Sequence, residues 1–228
     1  MNPAAHGGTN MQKEFWLNKW QSKQIGFHQS EINSYLQRHW KETGAATGDG
    51  VFVPLCGKTS DMLWLQAQGH AVTGVEFSEM AVKEFFAENE MTPEISKQGA
   101  FDVSAANGIR LFCGDFFALT AEDLKGVAAV YDRAALIALP PETRKKYVAH
   151  LRTILPQGFT LLLVTLEYPQ EAMDGPPFSV PEKEVLELFQ GASPKLLERA
   201  EIPTRNERLR ENGVETLLEC VYLVSVTG

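Results

Sequence analysis

The 228 residues predict a doubly wound α/β domain: a mostly parallel seven-stranded sheet with helices on both faces and an antiparallel last strand. Three observations predict it. From Val51 onward, short apolar runs alternate with segments of helical periodicity, as parallel strands joined by crossover helices do. The second, third and fourth runs each finish on an acidic residue (Glu76, Asp115 and Asp132). Two consecutive strands close the chain with no crossover pattern between them, which calls for an antiparallel pair at one edge.

Met1 to Asn10 is small, polar and aperiodic, and reads as a disordered tail or expression remnant ahead of Met11. Residues 11–228 then form one domain, its first part, 11–45, a mostly helical cover rich in aromatics (Phe15, Trp16, Trp20, Phe27, Tyr35, Trp40). Val51 to Leu55 is the first strand. Ser60 to Gln68 is a helix with Met62, Leu63 and Leu65 inward, stopped by Gly69, and Ala71 to Glu76 is the second strand. Ser78 caps the next helix, with Glu79 in its positive first turn and Val82, Phe85 and Phe86 on its buried side. A long polar stretch follows. Ile109 to Asp115 and Ala128 to Asp132 are the third and fourth strands; Pro141 to Leu155 is a helix with a Tyr147, Val148, Leu151, Ile154 stripe. Phe159 to Leu166, the most apolar strand, belongs near the middle of the sheet. A helix near Pro181 to Gln190 leads to strands at Lys195 to Ile202 and Thr216 to Val226.

Composition narrows the function. A net charge of -8 repels a phosphate backbone, so nucleic acid and anionic membranes are unlikely partners and a small molecule is expected. Cys56, Cys113 and Cys220 are odd in number and far apart, matching neither a disulfide framework nor a metal site, and fitting a reducing cytoplasm. No apolar run reaches the roughly 18 residues of a membrane span. Nothing demands a partner subunit, so a monomer is expected.

Ligands of open α/β sheets lie beyond the C-terminal strand ends. The first strand runs into Pro54-Leu55-Cys56-Gly57-Lys58, with one glycine where a dinucleotide site needs three, which favours a nucleoside ligand such as S-adenosylmethionine over a nicotinamide cofactor. Glu76, about twenty residues on, stands where an acid accepts from ribose hydroxyls; a solvated or helix-capping acid is the plain alternative. Asp115, before Phe116 and Phe117, suits an adenine amino group beside an aromatic wall, or simply a turn before core rings. Arg133 could clamp an anionic substrate with Asp132 paired to it, or the two could be a structural ion pair. His28 more often packs or caps than catalyses. Cys56 has no visible base, and Lys58 reads as a solvated loop charge.

The chain resembles the thiopurine S-methyltransferase family from about Phe15 to its end. The resemblance rests on Phe15-Trp16 with Trp20, Gly26-Phe27-His28, Val53-Pro54-Leu55-Cys56-Gly57-Lys58, Asp61-Met62 with Trp64-Leu65, and Gly74-Val75-Glu76-Phe77-Ser78-Glu79. Gly114-Asp115-Phe116-Phe117, Tyr131-Asp132-Arg133-Ala134-Ala135 and Gly175-Pro176-Pro177-Phe178-Ser179-Val180-Pro181 complete it in the same order. It implies the class I S-adenosylmethionine methyltransferase fold, and S-methylation of aromatic or heterocyclic thiols by in-line transfer to a thiolate, with no metal. It further implies that Trp20 and Leu55 pack on S-adenosylmethionine, that Glu76 takes the ribose, that Asp115 and Phe116 lie along the adenine, and that Arg133 both contacts the cofactor and lines the reacting pocket. Phe27 and Arg208 would face the acceptor, with Arg205 or Arg210 able to replace Arg208. Selenium or tellurium oxyanions and small thiols are alternative acceptors. A non-catalytic S-adenosylmethionine-binding regulator is the reading outside enzymes.

Overall fold

The structure, a computed structural model, describes residues 7–25 and 28–228. Two helices, α1 (Gly7–Gln21) and α2 (Ser34–His39), precede β1 (Gly50–Val53), α3 (Asp61–Ala67), β2 (Ala71–Glu76), α4 (Glu79–Glu88), β3 (Glu94–Gln98), β4 (Phe101–Ala106) and β5 (Ile109–Cys113). The chain continues through β6 (Val127–Arg133), α5 (Pro141–Ile154), β7 (Gly158–Glu167), α6 (Glu182–Leu188), β8 (Lys195–Pro203), α7 (Glu207–Glu211) and β9 (Thr216–Thr227). Helix α1 opens at Gly7, inside the stretch expected to be a tail; Met1 to His6 lie outside the described residues.

All seven expected strands are present, in the order β5-β2-β1-β6-β7-β9-β8. Neighbours from β5 to β7 run parallel, and β9 runs antiparallel to both β7 and β8. The chain winds outward from β1 through β2 to β5, then crosses back to place β6 on the other side of β1. The order therefore reverses at β1, and the C-terminal ends of β2, β1 and β6 mark the place where open α/β sheets form their ligand crevice.

Strand alternation divides the core between two layers. Phe52, Val130, Leu161 and Leu163 face α5 and α6, packing on Tyr147, Leu151 and Val185. Val51, Val53, Tyr131, Leu162 and Val164 face the opposite layer, with Leu36 of α2 and Trp40 just after it, Met62 and Leu65 of α3, and Phe85 of α4. Strand β7 is buried on both faces, as its apolar run requires, although the middle of the sheet is β1.

The sheet differs from expectation at one margin. Strands β3 and β4 form a hairpin antiparallel to β5, inside the polar stretch after α4. Only one face of β4 is apolar, through Phe101 and Val103, while β3 is exposed and polar and leaves no apolar signature. At the other side, the expected antiparallel pair closes the sheet, with β9 between β7 and β8 and β8 as the edge strand. Cys220, Val221, Tyr222 and Val224 of β9 are buried, whereas β8, with Lys195, Glu198, Arg199 and Glu201, has the charged character of an edge strand.

Candidate active site

The turn after β1 organises the crevice. Leu55 (φ 46°) and Gly57 (φ 53°) both take left-handed backbone conformations, which reverse the chain sharply; the Leu55 conformation costs a β-carbon penalty that surrounding contacts must offset. The Cys56 N–H bonds to the Val75 carbonyl at 3.0 Å, so β1 and β2 remain tied together past the end of β1. Gly57 is compelled twice over, since a β-carbon there would also stand 3.1 Å from the ring of Trp20.

Glu76 ends β2 and is 5% exposed, which excludes the solvated reading. Its Oε2 accepts from the Gly57 N–H at 3.0 Å and its Oε1 from the Ser78 N–H at 2.8 Å. Burial pushes its pKa up, and backbone N–H bonds from Ser78, Gly57 and Phe77 oppose that shift. A carboxylate has about four lone-pair sites, so it keeps capacity beyond these bonds for a further donor. Trp20, Gly57 and Glu76 thus form one contiguous group, and Leu55, half-buried, packs beside it on the layer that holds Phe116.

After β5 the geometry follows the plainer expectation. Asp115 is exposed and caps a short 3-10 turn, its Oδ1 accepting from the Phe117 N–H at 2.9 Å. The Phe116 ring is buried against Tyr147 and His150, with centroids 4.8 and 5.1 Å away, and stacks at 6.4 Å on Phe52. Its ring is a core element; Phe117, half-buried, is the aromatic beside Asp115 that remains accessible.

At the end of β6 the structure corrects one expectation. Asp132 and Arg133 do not pair, because successive strand residues point to opposite faces of the sheet. Asp132 turns into the α5 layer, where its carboxylate accepts from the Tyr147 hydroxyl at 2.6 Å and the Leu136 N–H at 3.0 Å. Arg133 turns toward α3. Its Nε donates to Asp61 Oδ2 and its Nη2 to Thr59 Oγ1, both at 3.0 Å. Ala134, at φ 68°, then bends the chain away.

Asp61 carries a role that residue reading missed. It is fully buried, and besides Arg133 it accepts from the Tyr131 hydroxyl at 3.0 Å and from the Asn33 N–H at 2.8 Å. An acid in the first turn of a helix is ordinarily read as complementing the helix dipole. The available signal was its position three residues after the Gly57-Lys58 turn, in a motif shared with the other site segments.

Lys58 is likewise not a solvated charge. It is buried and bound to Glu84 at 2.7 Å and Glu88 at 2.6 Å, pinning the turn to α4. His28 lies within reach of the same charges; burial lowers its pKa first, and the Lys58 and Arg133 cations lower it further, so it favours the neutral form. The Cys56 thiol is pushed well up by burial and by Glu76, which makes it unsuited to act as a nucleophile. Arg208 sits on α7, at the same end of the sheet as the last residues of β7. It is exposed, and its hydrogen bonds run through its backbone, to Asn206 at 3.0 Å and from Asn212 at 2.8 Å. Arg205 and Arg210 flank it and are also exposed. Phe27 lies outside the described residues.

The buried Asp132 predicts a pH signature. Burial raises its pKa to about 6 from an ordinary 3.8. Below pH 4 both folded and unfolded forms hold the proton. Between about 4 and 6 only the folded form does, so stability falls as pH rises through that window and levels off above it. The loss should approach about 3 kcal/mol. The stability difference between the protein and Asp132→Asn, measured by urea unfolding, should therefore move in the variant's favour between pH 4 and pH 7; a pH-independent difference would contradict the assignment.

The donor set suits a nucleoside better than a dinucleotide: a buried carboxylate with lone pairs to spare, one glycine in the turn, and an indole covering it. The comparisons agree with that geometry. The family model for thiopurine S-methyltransferase matches residues 11–227. The thiopurine S-methyltransferase of Pseudomonas fluorescens (strain Pf0-1) is 50% identical over 215 residues, covering 94% of this chain and 99% of that protein. That of Nitrosospira multiformis (strain ATCC 25196 / NCIMB 11849 / C 71) is 48% identical over 215 residues, covering 94% and 98%. Among solved structures, a 1,6-didemethyltoxoflavin-N1-methyltransferase of Burkholderia thailandensis, with bound S-adenosylhomocysteine, superposes with a TM-score of 0.63 at 15% identity, covering 100% of this chain and 92% of that one. The magnesium protoporphyrin IX methyltransferase of Synechocystis PCC 6803, also with S-adenosylhomocysteine, gives 0.61 at 16% identity, covering 95% and 100%. These two share the fold. Among the described residues no helix is long and apolar enough to cross a membrane. Matched from residue 11 to 227 and half identical to curated members over nearly its whole length, the chain belongs to the thiopurine S-methyltransferase family of S-adenosylmethionine-dependent methyltransferases.

Proposed function

We propose that the protein methylates the sulfur of aromatic or heterocyclic thiols of the thiopurine kind. One observation carries the reading: the segment 57–61 joins both halves of the crevice, the Gly57 N–H binding Glu76 on one side and Thr59 and Asp61 binding Arg133 on the other. A cofactor group held at Glu76 and an acceptor held at Arg133 are then referenced to the same few residues of backbone. That is what a displacement needs when it depends on aligning two partners.

S-adenosylmethionine supplies a methyl group on a positively charged sulfur, already a good leaving group. In this reading Glu76 accepts from the ribose hydroxyls, Trp20 and Leu55 cover the apolar parts of the nucleoside, and Asp115 takes the adenine amino group. Arg133, with Arg208 or a neighbouring arginine, favours the anionic form of the acceptor thiol and lowers its effective pKa. An aromatic thiol ionises near neutral pH, so no dedicated base is required. The cover, with Trp20 and Phe27, excludes water from the reacting groups.

The Arg133 charge is balanced by buried Asp61, so Arg133 reaches an acceptor through directed N–H donors more than through a long-range field, which suits a singly charged thiolate better than a doubly charged oxyanion. A substrate panel tests this. At saturating S-adenosylmethionine, 6-mercaptopurine and thiophenols should turn over at least about 10-fold faster than selenite, tellurite or aliphatic thiols, the least one ionised-donor contact is worth. Faster methylation of the oxyanions would move the function to selenium and tellurium; binding without turnover on any acceptor would support a regulator.

A further inference from the structure

We infer that Asp61 is a positioning residue of the methyl-transfer site, one buried carboxylate that fixes the guanidinium of Arg133 and ties the N-terminal cover to it. The inference rests on the reading above that Arg133 faces the acceptor.

The carboxylate is 1% exposed and makes bonds in three directions. Oδ2 holds Arg133 Nε and the Tyr131 hydroxyl, each at 3.0 Å, and Tyr131 lies two residues earlier on the same face of β6. Oδ1 holds the Asn33 N–H at 2.8 Å. Asn33 in turn caps α2, its side-chain oxygen accepting from the N–H groups of Tyr35 at 2.9 Å and Leu36 at 3.2 Å. The start of α2 and the end of β6 are therefore bonded to the same carboxylate.

Two consequences follow for Arg133. A guanidinium has five N–H donors in a rigid plane, and fixing Nε to Asp61 and Nη2 to Thr59 sets that plane while leaving other donors for a ligand. The side chain is 12% exposed, so little solvent competes for them. Asp61 also removes most of the net charge, which leaves Arg133 acting through directed hydrogen bonds more than through a long-range field. A shift in the cover is felt at Arg133 through the Asn33 bond, and a displaced guanidinium is felt in the cover.

Asp61→Asn keeps the side-chain shape but presents an amide that cannot accept from all three donors. The expected result at saturating S-adenosylmethionine is a kcat for 6-mercaptopurine lowered about 10-fold or more, with the Kd for S-adenosylmethionine within about threefold, since the Asp61 carboxylate bonds to Arg133, Tyr131 and Asn33 while Glu76 bonds to Gly57 and Ser78. Combined with Arg133→Lys, which keeps the charge but loses the planar fork, the two losses should be far from additive. Asp61→Glu retains the buried charge while moving its oxygens, and should likewise lower kcat with cofactor affinity kept; it decides the matter if the Asn variant does not fold. Additive losses, or unchanged kcat in a folded Asp61 variant while Arg133→Lys is impaired, would overturn the inference and leave the proposed function intact. Full turnover in Arg133→Lys and Arg133→Ala would instead overturn the reading on which it rests.

Discussion

Glu76→Ala is expected to weaken S-adenosylmethionine binding about 100-fold. A hydrogen bond to a charged group contributes roughly 1.5–3 kcal/mol, and a carboxylate that receives two ribose hydroxyls supplies two of them. Two such bonds at the lower end of that range amount to about 3 kcal/mol, which is roughly 100-fold. Glu76 also receives the N–H groups of Gly57 and Ser78, so its loss leaves two buried donors unpaired and loosens the turn that carries Leu55. Glu76→Gln separates the two contributions: its amide nitrogen would have to face one of those N–H groups, so the variant should retain the fold of the sheet yet bind the cofactor poorly. Calorimetric titration with S-adenosylmethionine measures both. A Kd within about threefold of the unaltered protein in either variant would remove Glu76 from the cofactor site.

Arg133→Ala should act on the other half of the crevice. Turnover of a thiol acceptor is expected to fall about 100-fold, comparable with removing one pre-oriented donor from an active site. The Kd for S-adenosylmethionine should change by less than about threefold, because Arg133 bonds to Asp61 and Thr59 and not to the Glu76 side of the turn. Truncation strands part of the Asp61 carboxylate, which still receives Tyr131 and Asn33, so a lower unfolding midpoint accompanies the loss of activity without explaining it. Steady-state kinetics at saturating cofactor, beside the same titration, give the two numbers. Equal losses in kcat and cofactor affinity at Glu76 and Arg133 would abolish the division of roles between them.

The sequence made the parallel core of the fold legible because its strands carry short, mostly apolar runs and the helices α3, α4 and α5 between them carry helical stripes. The β3–β4 hairpin was not legible for the converse reason: β3 buries nothing, and Phe101 and Val103 are too few to mark a strand by themselves. Glu76 is marked in the sequence by its place at a strand end, and its burial distinguishes it from a solvated acid. Lys58 and Asp61 were misread or passed over because residue type says charge, and charge in a loop or at a helix start is normally solvated. What makes them buried here is the convergence of Glu84, Glu88, Asn33, Tyr131 and Arg133, residues up to 72 positions away from their partners. The supposed Asp132–Arg133 pair failed for a reason that strand geometry supplies in advance, since adjacent residues of a strand cannot share a face. At Asp115 and Phe116, residue type does not tell which ring is accessible: the Phe116 ring is buried in the core and Phe117 is half-buried.

The most direct test of the account is transfer of a labelled methyl group from S-adenosylmethionine to 6-mercaptopurine by the purified protein, with Glu76→Ala and Arg133→Ala in parallel. The account predicts a labelled S-methyl product from the unaltered chain, and its loss in both variants, in the first through cofactor binding and in the second through turnover. Cofactor binding with no labelled thiopurine from the unaltered chain would contradict the proposed acceptor, and full activity in both variants would contradict the site.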